Sequence, residues 1–471
     1  MPDTTNVPAI AADSAGNVYF AGSAIPPSGS TLFGPGGTYD VVVTKLDPSL
    51  ANVLWQVFIG GGGQNGATGL AVDQGGNAFV TGYTDSADWP VTPGAFQSVN
   101  RAANGTGYVA VVAASGSELL WSTYLGGSAY DTPGAIALGP AGSVYVAGTT
   151  GSSDFPVTSS ALETTGVGGG FISELSSDGT KLLASTYLAG ADGNSNILAL
   201  AAGPDGSITA AGLAGASFPV TIAGNAPPDG ASAGFVARLN NSLSTQVYSE
   251  LVGGAVQVNG VFVDANNLTY LAGISPGQLT TVRAVLPEFF AVPCAVFSPD
   301  GGIQGQEECN QGFVDQLDPS GELLLSTYLN GYGGLEGATA NAVVSDGKGN
   351  AFVGGSGVLT FAGAQAALTA GAAFLVDLNV NLTPPLLLSA GVTNAASFVT
   401  GLPPPGSLAT IFCSGLTGIQ SLDAPGFPFP LILEGVTVTI GGTPAPIVAL
   451  ANFGSYQQID LQVPWDIPFL S

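Results

Sequence analysis

Residues 10–22 read IAADSAGNVYFAG, a short apolar segment, a turn with Asp and Gly, and a second apolar segment ending in Gly. The same phrase returns at residues 70–82, 136–148, 200–212, 261–273 and 343–355. Each phrase is followed by two more apolar segments, for example residues 171–175 and 182–188. Short segments rich in β-branched and aromatic residues, separated by Gly, Asp, Asn and Ser, are typical of strands joined by hairpins. Each repeat therefore predicts four strands, A to D.

These repeats predict an all-β fold in which a β-propeller of six blades covers residues 1–385. The D strand of the sixth blade is predicted at residues 385–389. A ring of seven or eight blades with missing repeats is the structural alternative. The A–B and C–D connections are short, whereas the B–C connections are long. We therefore expect the B–C loops and the D–A linkers to share one face, where function is expected.

Three phrases resemble SBBP-type β-propeller repeats: STYLGG at 122–127, AVDQGGNAFVTG at 71–82 and DWPVTPGAFQ at 88–97. The resemblance covers residues 7–390 and is weakest in the fourth and sixth repeats. Such repeats occur in secreted or surface proteins of environmental bacteria. The resemblance thus implies a propeller and an extracellular or cell-surface location, but no settled activity.

Residues 386–471 are similar to an uncharacterised Ig-like β-sandwich module that often follows such repeats. The phrases that carry this similarity are VTNAASF at 392–398, GVTVTIGG at 435–442 and QIDLQVP at 458–464. In that family more strands follow the last phrase, whereas this chain stops at Ser471. We expect either a truncated module or one whose open edge is completed by a strand from a neighbour.

The composition excludes several classes of function. Lys and Arg number 6 against 32 Asp and Glu, which disfavours nucleic acids and anionic membrane surfaces as partners. The chain contains no His, which excludes Ser-His-Asp and Cys-His catalysis and His-ligated zinc or haem. No apolar run is long enough to span a membrane, and the first residues carry no signal-peptide pattern.

The three cysteines predict two different environments. Cys294 and Cys309 lie in one long B–C loop, and we expect a disulfide between them, as in an oxidising compartment. Cys413 follows Ile411 and Phe412 in an apolar strand, and we expect a buried free thiol there.

Acidic residues collect in the B–C loops and the D–A linkers. They are Asp85, Asp88, Asp154, Asp229, Asp300, Glu307 and Glu308 in the loops, with Asp131, Asp192 and Glu336 in the linkers. Trp89 and Phe155, each between Asp and Pro, are residue types that stack on sugar rings. We therefore predict a ligand site for a glycan or a protein, formed by Asp88, Trp89, Asp131, Asp154, Phe155 and Asp192. The alternative is that each Asp-aromatic-Pro motif anchors its loop on the neighbouring blade.

Other interpretations of these side chains are weaker. The turns at Asp13 and Asp73 resemble calcium loops, but the third and fourth repeats have Gly139 and Gly203 instead, so we expect caps and no cofactor. An aromatic stripe is expected to pack between blades; it contains Trp121, Tyr124, Tyr187, Tyr248 and Tyr328. A pair of catalytic carboxylates needs separations that the sequence does not supply.

Three functions remain open from the sequence. The first is a non-catalytic secreted or surface protein whose propeller is a platform for binding or adhesion. The second is a structural subunit of a fibre or array, which self-associates through the C-terminal module. The third is a carbohydrate-active enzyme that uses Asp and Glu of the long-loop face.

Overall fold

The structure is a computed structural model. It describes residues 6–139, 142–222, 232–277, 279–284, 293–297, 303–308, 310–329, 338–357, 373–379, 386–397, 401–414, 416, 421–433, 436–440, 443–453 and 456–465. For residues 6–8, 293–297, 303–308, 357, 379, 386–390 and 414 it describes the backbone alone. Two compact units are formed, one by residues 1–269 with 319–321 and one by residues 270–318 with 322–471.

The first unit begins with a five-stranded sheet, sheet 1. Its strands are β1 (Asn6–Ala12), β2 (Val18–Ala24), β3 (Thr31–Phe33), β4 (Asp40–Leu46) and β5 (Val53–Ile59). They lie in the order β1-β2-β4-β5-β3, antiparallel except that β3 runs parallel to β5. Strands A to D are therefore β1, β2, β4 and β5, and β3 belongs to the B–C loop.

Three four-stranded antiparallel sheets follow, each in chain order. Sheet 2 contains β6 (Asn65–Val72), β7 (Ala78–Thr84), β8 (Thr106–Val112) and β9 (Leu119–Leu125). Sheet 3 contains β10 (Asp131–Leu138), β11 (Val144–Thr150), β12 (Gly169–Leu175) and β13 (Leu182–Leu188). Sheet 4 contains β14 (Ser195–Ala202), β15 (Ile208–Ala214), β16 (Ala233–Leu239) and β17 (Gln246–Leu251), and β18 (Gln257–Val263) comes next.

Successive sheets of this unit pack face to face. The A strands β1, β6, β10, β14 and β18 are neighbours in that order. One apolar cluster joins sheets 1 and 2 through Tyr19 and Tyr108, and another joins sheets 3 and 4 through Ile172 and Phe235. A bulge recurs where the A strand pairs with the B strand, at Thr68, Gly134 and Leu198. Repeated sheets that bury apolar side chains against each other are propeller-type blades.

The second unit is also built of strands. Those of the repeat region are β19 (Thr269–Ser275), β20 (Pro293–Phe297), β21 (Ile303–Glu308), β22 (Gln311–Leu317), β23 (Leu323–Tyr328), β24 (Ala338–Ser345), β25 (Asn350–Gly357) and β26 (Ala373–Asn379). Within this unit β19, β22 and β23 lie side by side, β20 pairs with β21, and β24, β25 and β26 form a three-stranded sheet.

The C-terminal strands are β27 (Leu386–Asn394), β28 (Leu408–Ser414), β29 (Leu422–Asp423), β30 (Val438–Ile440), β31 (Thr443–Ala445), β32 (Ile447–Asn452) and β33 (Gln457–Gln462). Five of them form a sheet in the order β27-β28-β33-β32-β29, and β30 pairs with β31. Cys413 on β28 is buried and free, and burial raises the pKa of its thiol to about 11.

The predicted all-β fold of propeller type is confirmed, and the described residues contain no α-helix. The six-blade count, the boundary at residue 385 and the Ig-like identity of residues 386–471 stay predictions. The prediction of the sixth D strand at residues 385–389 is wrong, because Leu386 and Leu387 pair with β28 of the C-terminal sheet. The predicted disulfide lies outside the described residues, because only the backbone of Cys294 is described and Cys309 is not.

Candidate functional site

Asp88 and Asp154 hold the linkers that join successive sheets. Asp88 Oδ1 accepts a hydrogen bond of 2.7 Å from the Gly62 amide, before β6. Asp154 Oδ1 accepts bonds of 2.9 Å from both the amide and the hydroxyl of Ser128, before β10. These bonds lower the pKa of Asp154. Both carboxylates are exposed, but each caps backbone amide groups, as Asp commonly does in loops.

Asp131, the first residue of β10, is fully buried. Its carboxylate accepts hydrogen bonds from the Gly127 amide at 2.8 Å and from the hydroxyls of Thr150 and Ser152. Burial raises the pKa of Asp131, although the hydrogen bonds oppose this. The carboxylate is thus enclosed by groups that join the linker to β11 and its loop.

The equivalent positions in the neighbouring sheets show that this role does not require an acid. In sheet 2 Asn65 Oδ1 accepts bonds of 2.6 Å from Thr84 and 2.9 Å from Ser86. In sheet 4 the position is Ser195, whose hydroxyl bonds the carbonyl of Leu188 at 2.9 Å. An acid, an amide and a hydroxyl all serve here, so the position is structural.

Asp131 and Asp154 also invite a catalytic interpretation. Their pKa values move in opposite directions, and the charge of Asp154 adds to the rise at Asp131. Neighbouring carboxyls with separated pKa values are a feature of acid–base catalysis. However, Asp131 has no exposed surface and both of its oxygens accept hydrogen bonds. A substrate cannot reach it, so we assign the pair no catalytic role.

Asp192 lies in the linker before β14 and is exposed. Its Oδ1 accepts a bond of 3.1 Å from the Asn194 amide, and its own amide donates to Ser217 Oγ at 3.3 Å. The predicted site residues therefore belong to three hydrogen-bond networks, one at each of three successive junctions. Of the other predicted acids, Asp229, Asp300 and Glu336 and the side chains of Glu307 and Glu308 lie outside the described residues.

The aromatic rings predicted to stack on a sugar are buried. Trp89 is 2% exposed, packs at a tilt against Tyr108 with ring centroids 4.1 Å apart, and donates from Nε1 to Ser122 Oγ at 2.9 Å. Phe155 is 3% exposed and packs on Phe171 at 4.3 Å. These partners belong to the sheet that carries the loop, not to the neighbouring one. The structure thus leaves neither ring available to a ligand.

The tyrosines of the D strands hold the same loops. Tyr124 OH donates to the Ser86 carbonyl at 2.8 Å and accepts from the Trp89 amide at 3.0 Å. The equivalent tyrosines make similar bonds: Tyr187 with Ser152 and Phe155, and Tyr328 with Leu279. Besides packing, these tyrosines fix the start of each B–C loop through their hydroxyls.

The B–C loops do not stay on one face of the sheets. In sheet 2 the Thr92 amide donates to the Ser122 carbonyl on β9 at 3.1 Å. Further along, the Phe96 amide reaches the Gly179 carbonyl in the C–D hairpin of sheet 3 at 2.9 Å. The loop therefore runs along the edge strand from the linker end to the hairpin end. It covers an edge that would otherwise be open to pairing.

The acidic A–B turns are closed by their own backbone. Asp13 Oδ1 accepts bonds from the amides of Ala15 at 3.0 Å and Asn17 at 2.9 Å, and Asp73 does the same with Asn77 at 2.8 Å. Asp13 Oδ2 lies 3.3 Å from Lys45 Nζ. In the part of the chain that the structure describes, no three acidic or Cys side chains form a group suited to a metal.

At three of the described junctions an aromatic residue on the D strand contacts the next hairpin. Trp55 Nε1 donates to the Ala114 carbonyl at 2.9 Å, and its ring lies against Gly116 in the C–D hairpin of sheet 2. Gly116 has a φ of +71°, and an added Cβ would lie 2.7 Å from the ring. The contact recurs for Trp121 with Ser177 and Gly179, and for Tyr248 with Gly321.

The junction of sheets 3 and 4 departs from this rule. Ala184 stands where the other junctions have Trp or Tyr, and Leu243 stands where they have Gly. Leu243 has a φ of +53° and is fully buried in one apolar cluster with Ala184. The Leu243 side chain of the sheet 4 hairpin therefore fills part of the space that the D-strand aromatic ring fills at the other junctions.

A cleft of about 340 Å³ lies at this junction. It is lined by Ser143, Tyr145, Ser160, Glu174, Leu183, Ala184, Asn241 and Ser242. Tyr145 OH donates to the Asn241 carbonyl at 3.0 Å, the hairpin position that Trp bonds elsewhere. Burial, followed by the charge of Glu174, raises the pKa of Tyr145. We call this the junction cleft.

The sequence analysis did not predict the junction cleft, because it placed the ligand site in the long, acidic B–C loops. The signal was present in the repeats: aligning residues 119–125 with 182–188 sets Trp121 against Ala184, and aligning the hairpins sets Gly179 against Leu243. Glu174 stands where the C strands of sheets 1 and 4 carry Lys45 and Arg238.

Comparison with known proteins supports the repeat. The family model described as "SBBP: Beta-propeller repeat" matches residues 120–156, which run from β9 through sheet 3 strands β10 and β11 to Pro156. No curated protein matches this sequence. No helix among the described residues is long and apolar enough to cross a membrane.

Several solved structures are similar in part. A protein of unknown function from Bacteroides caccae is 13% identical with a TM-score of 0.33, over 69% of this chain and 81% of that one. An α-L-arabinofuranosidase of Fusarium graminearum is 11% identical with a TM-score of 0.39, over 78% and 91%. A gluconolactonase of Xanthomonas campestris is 12% identical with a TM-score of 0.32, over 80% and 96%. At these scores the similarity carries no argument about activity.

Proposed function

We propose that this chain is a non-catalytic, secreted or cell-surface protein whose propeller-type sheets form a rigid platform for binding. The observation that carries the proposal is the use of the loop carboxylates. Asp88 and Asp154 bond linker amides, and Asp131 is enclosed by three donors. In a chain without His, acid–base catalysis would need such carboxylates. Here these three carboxylates accept hydrogen bonds that hold successive sheets together.

A turnover assay tests the absence of catalysis. The purified chain is incubated with arabinan, chitin, cellulose and xylan oligosaccharides, together with Asp88→Asn and Asp154→Asn variants. We expect no products from any of the three proteins, and a lower thermal midpoint for both variants. Hydrolysis by the parent chain that disappears in either folded variant would contradict the proposal.

The platform is also proposed to need no metal. The carboxylates of the A–B turns already accept amide hydrogen bonds and, at Asp13, face Lys45. We expect the thermal midpoint to be the same in EDTA and in millimolar CaCl2. A rise of several degrees with CaCl2 would instead support the calcium interpretation.

A further inference from the structure

We propose that the junction cleft binds a small hydroxylated ammonium ion, of the chemical class of amino sugars. This inference deepens the proposed platform function and rests on it, since it names a ligand and a place. It depends on two features of this junction that occur together: the aromatic ring is missing, and a carboxylate stands where sheets 1 and 4 carry a cation.

The first departure provides the space. At the other described junctions an indole or phenol ring lies against a hairpin Gly, as Trp121 does against Gly179. At this junction Ala184 is the small replacement, and Leu243 restores only part of the volume because a cleft of about 340 Å³ remains. That volume is at the lower end of the range for small-molecule sites.

The second departure provides the charge. In sheet 1 Lys45 pairs with Asp13 of the A–B turn at 3.3 Å, and in sheet 4 Arg238 pairs with Asp205 at 2.9 Å. In sheet 3 the strand position is Glu174, and the turn at 139–143 has no acidic residue in its sequence. The strand thus presents a carboxylate where the equivalent strands of sheets 1 and 4 present a cation and that of sheet 2 presents Val111.

Neither of the two ion pairs found among the described residues includes Glu174. Its carboxylate lines the cleft and is a hydrogen-bond partner of the Tyr145 hydroxyl, which also lies 3.0 Å from the Asn241 carbonyl. A carboxylate that is partly withdrawn from water favours a cation at short range. The net charge of −26 adds a long-range attraction for cations.

The remaining lining favours a hydroxylated body over a bare ion. Ser160 and Ser242 supply hydroxyls and Asn241 an amide, while Leu183 and Ala184 supply an apolar patch. Such a mixture matches a sugar ring, which has polar edges and apolar faces. Because the cleft is open and the ion pair partly solvated, we expect a dissociation constant on the order of 1 mM.

The experiment compares glucosamine with glucose, two probes that differ at one substituent. Binding is measured by isothermal titration calorimetry on the full chain at pH 6.5, with ammonium chloride as a third probe. We expect glucosamine to bind at least ten-fold more tightly than either of the others. No binding of glucosamine, or equal binding of glucose, would overturn the proposal.

Two variants locate the site. Glu174→Gln keeps the shape of the cleft and removes its charge, and we expect at least ten-fold weaker glucosamine binding. Ala184→Trp combined with Leu243→Gly rebuilds the contact of the other junctions, and we expect binding to be lost while the circular dichroism spectrum is kept. Glu118→Gln, the same change on the exposed hairpin of sheet 2, is the matched control and should bind normally.

Equal binding by the parent chain and Glu174→Gln would overturn the assignment to this cleft, even if the double variant does not fold. None of these outcomes depends on turnover. Failure of the glucosamine proposal and failure of the non-catalytic platform are therefore separate results, since the latter is decided by products from oligosaccharides.

Discussion

Replacing Gly179 by Ala tests the contact through which Trp121 joins sheet 2 to sheet 3. Gly179 has a φ of +68°, and an added Cβ would overlap the six-membered ring of Trp121. The left-handed conformation costs Ala about 1–2 kcal/mol. Overpacking in a filled contact costs about 1–3 kcal/mol more. We therefore expect the free energy of unfolding to fall by about 2–5 kcal/mol.

Gly29→Ala is the matched control. Gly29 has a φ of +87°, so Ala is strained there too, but no atom lies within 4 Å of an added Cβ. Urea unfolding followed by far-UV circular dichroism measures both variants. We expect Gly29→Ala to lose only the strain energy of about 1–2 kcal/mol. Equal losses in the two variants would refute the interpretation that the ring and the hairpin are in filled contact.

The junction of sheets 3 and 4 suggests a second arm of the same test. Trp121→Ala alone should cost about 3–5 kcal/mol, as large-to-small core changes do. Adding Gly179→Leu copies the Ala184 and Leu243 pair, which the chain already uses. We expect the double variant to be more stable than Trp121→Ala. If the double variant instead lost the sum of the stabilities lost by Trp121→Ala and Gly179→Leu, the hairpin side chain would not replace the ring.

Two further predictions concern Glu163, which is half-buried, and Asp131, which is fully buried. Burial raises the pKa of Glu163 to about 7, so the folded state holds its proton more tightly than the unfolded chain, and stability should fall as pH rises from about 4.5 to 7. Glu163→Gln should reduce this pH-dependent loss of stability by up to about 2 kcal/mol, after allowance for the partial exposure of Glu163. Gln is expected to fit there because Gln97 already makes the equivalent bond in sheet 2. Urea unfolding at pH 4.5 and 7.5 measures the difference, and an unchanged pH dependence would contradict the prediction. Asp131→Asn should lower the free energy of unfolding by less than about 1 kcal/mol, because Asn65 occupies the same position in sheet 2, whereas Asp131→Ala should lower it by about 2–3 kcal/mol. Equal losses for the two variants in thermal or urea unfolding would show that the charge itself is needed.

The strands were predictable from the sequence because each repeat carries its own punctuation. Asp73 and Gly76 mark the A–B turn of sheet 2, and both act as the pattern indicates: Asp73 caps the turn and Gly76 has a φ of +82°. Turn chemistry of this kind is local, so it is readable from neighbouring residues.

The path of the B–C loops was not predictable in the same way. Thr92 and Phe96 bind β9 and the next hairpin through their backbone amides, and any residue other than Pro can donate such a bond. The length of the B–C loops therefore predicted a surface free for binding, whereas in the structure the sheet 2 loop covers the edge strand β9. The burial of Trp89 follows from this path, because the loop that carries it is held against its own sheet.

The candidate site could have been found by comparing repeats rather than loops. The exposed acids Asp88, Asp154 and Asp192 each accept a hydrogen bond from a backbone amide. The informative positions are instead those at which one repeat differs from the others. Ala184 and Glu174 are two such positions on adjacent strands of sheet 3, and Leu243 of the next hairpin lies in one apolar cluster with Ala184.

Hydrogen–deuterium exchange with and without 10 mM glucosamine tests most directly where this platform binds. We predict slower exchange in β13 and in the hairpin at residues 240–245, which border the junction cleft, and no change at residues 85–91 and 151–157. Protection confined to those two loop segments would contradict the account, because it would place the ligand among the acidic loops at Asp88 and Asp154 instead.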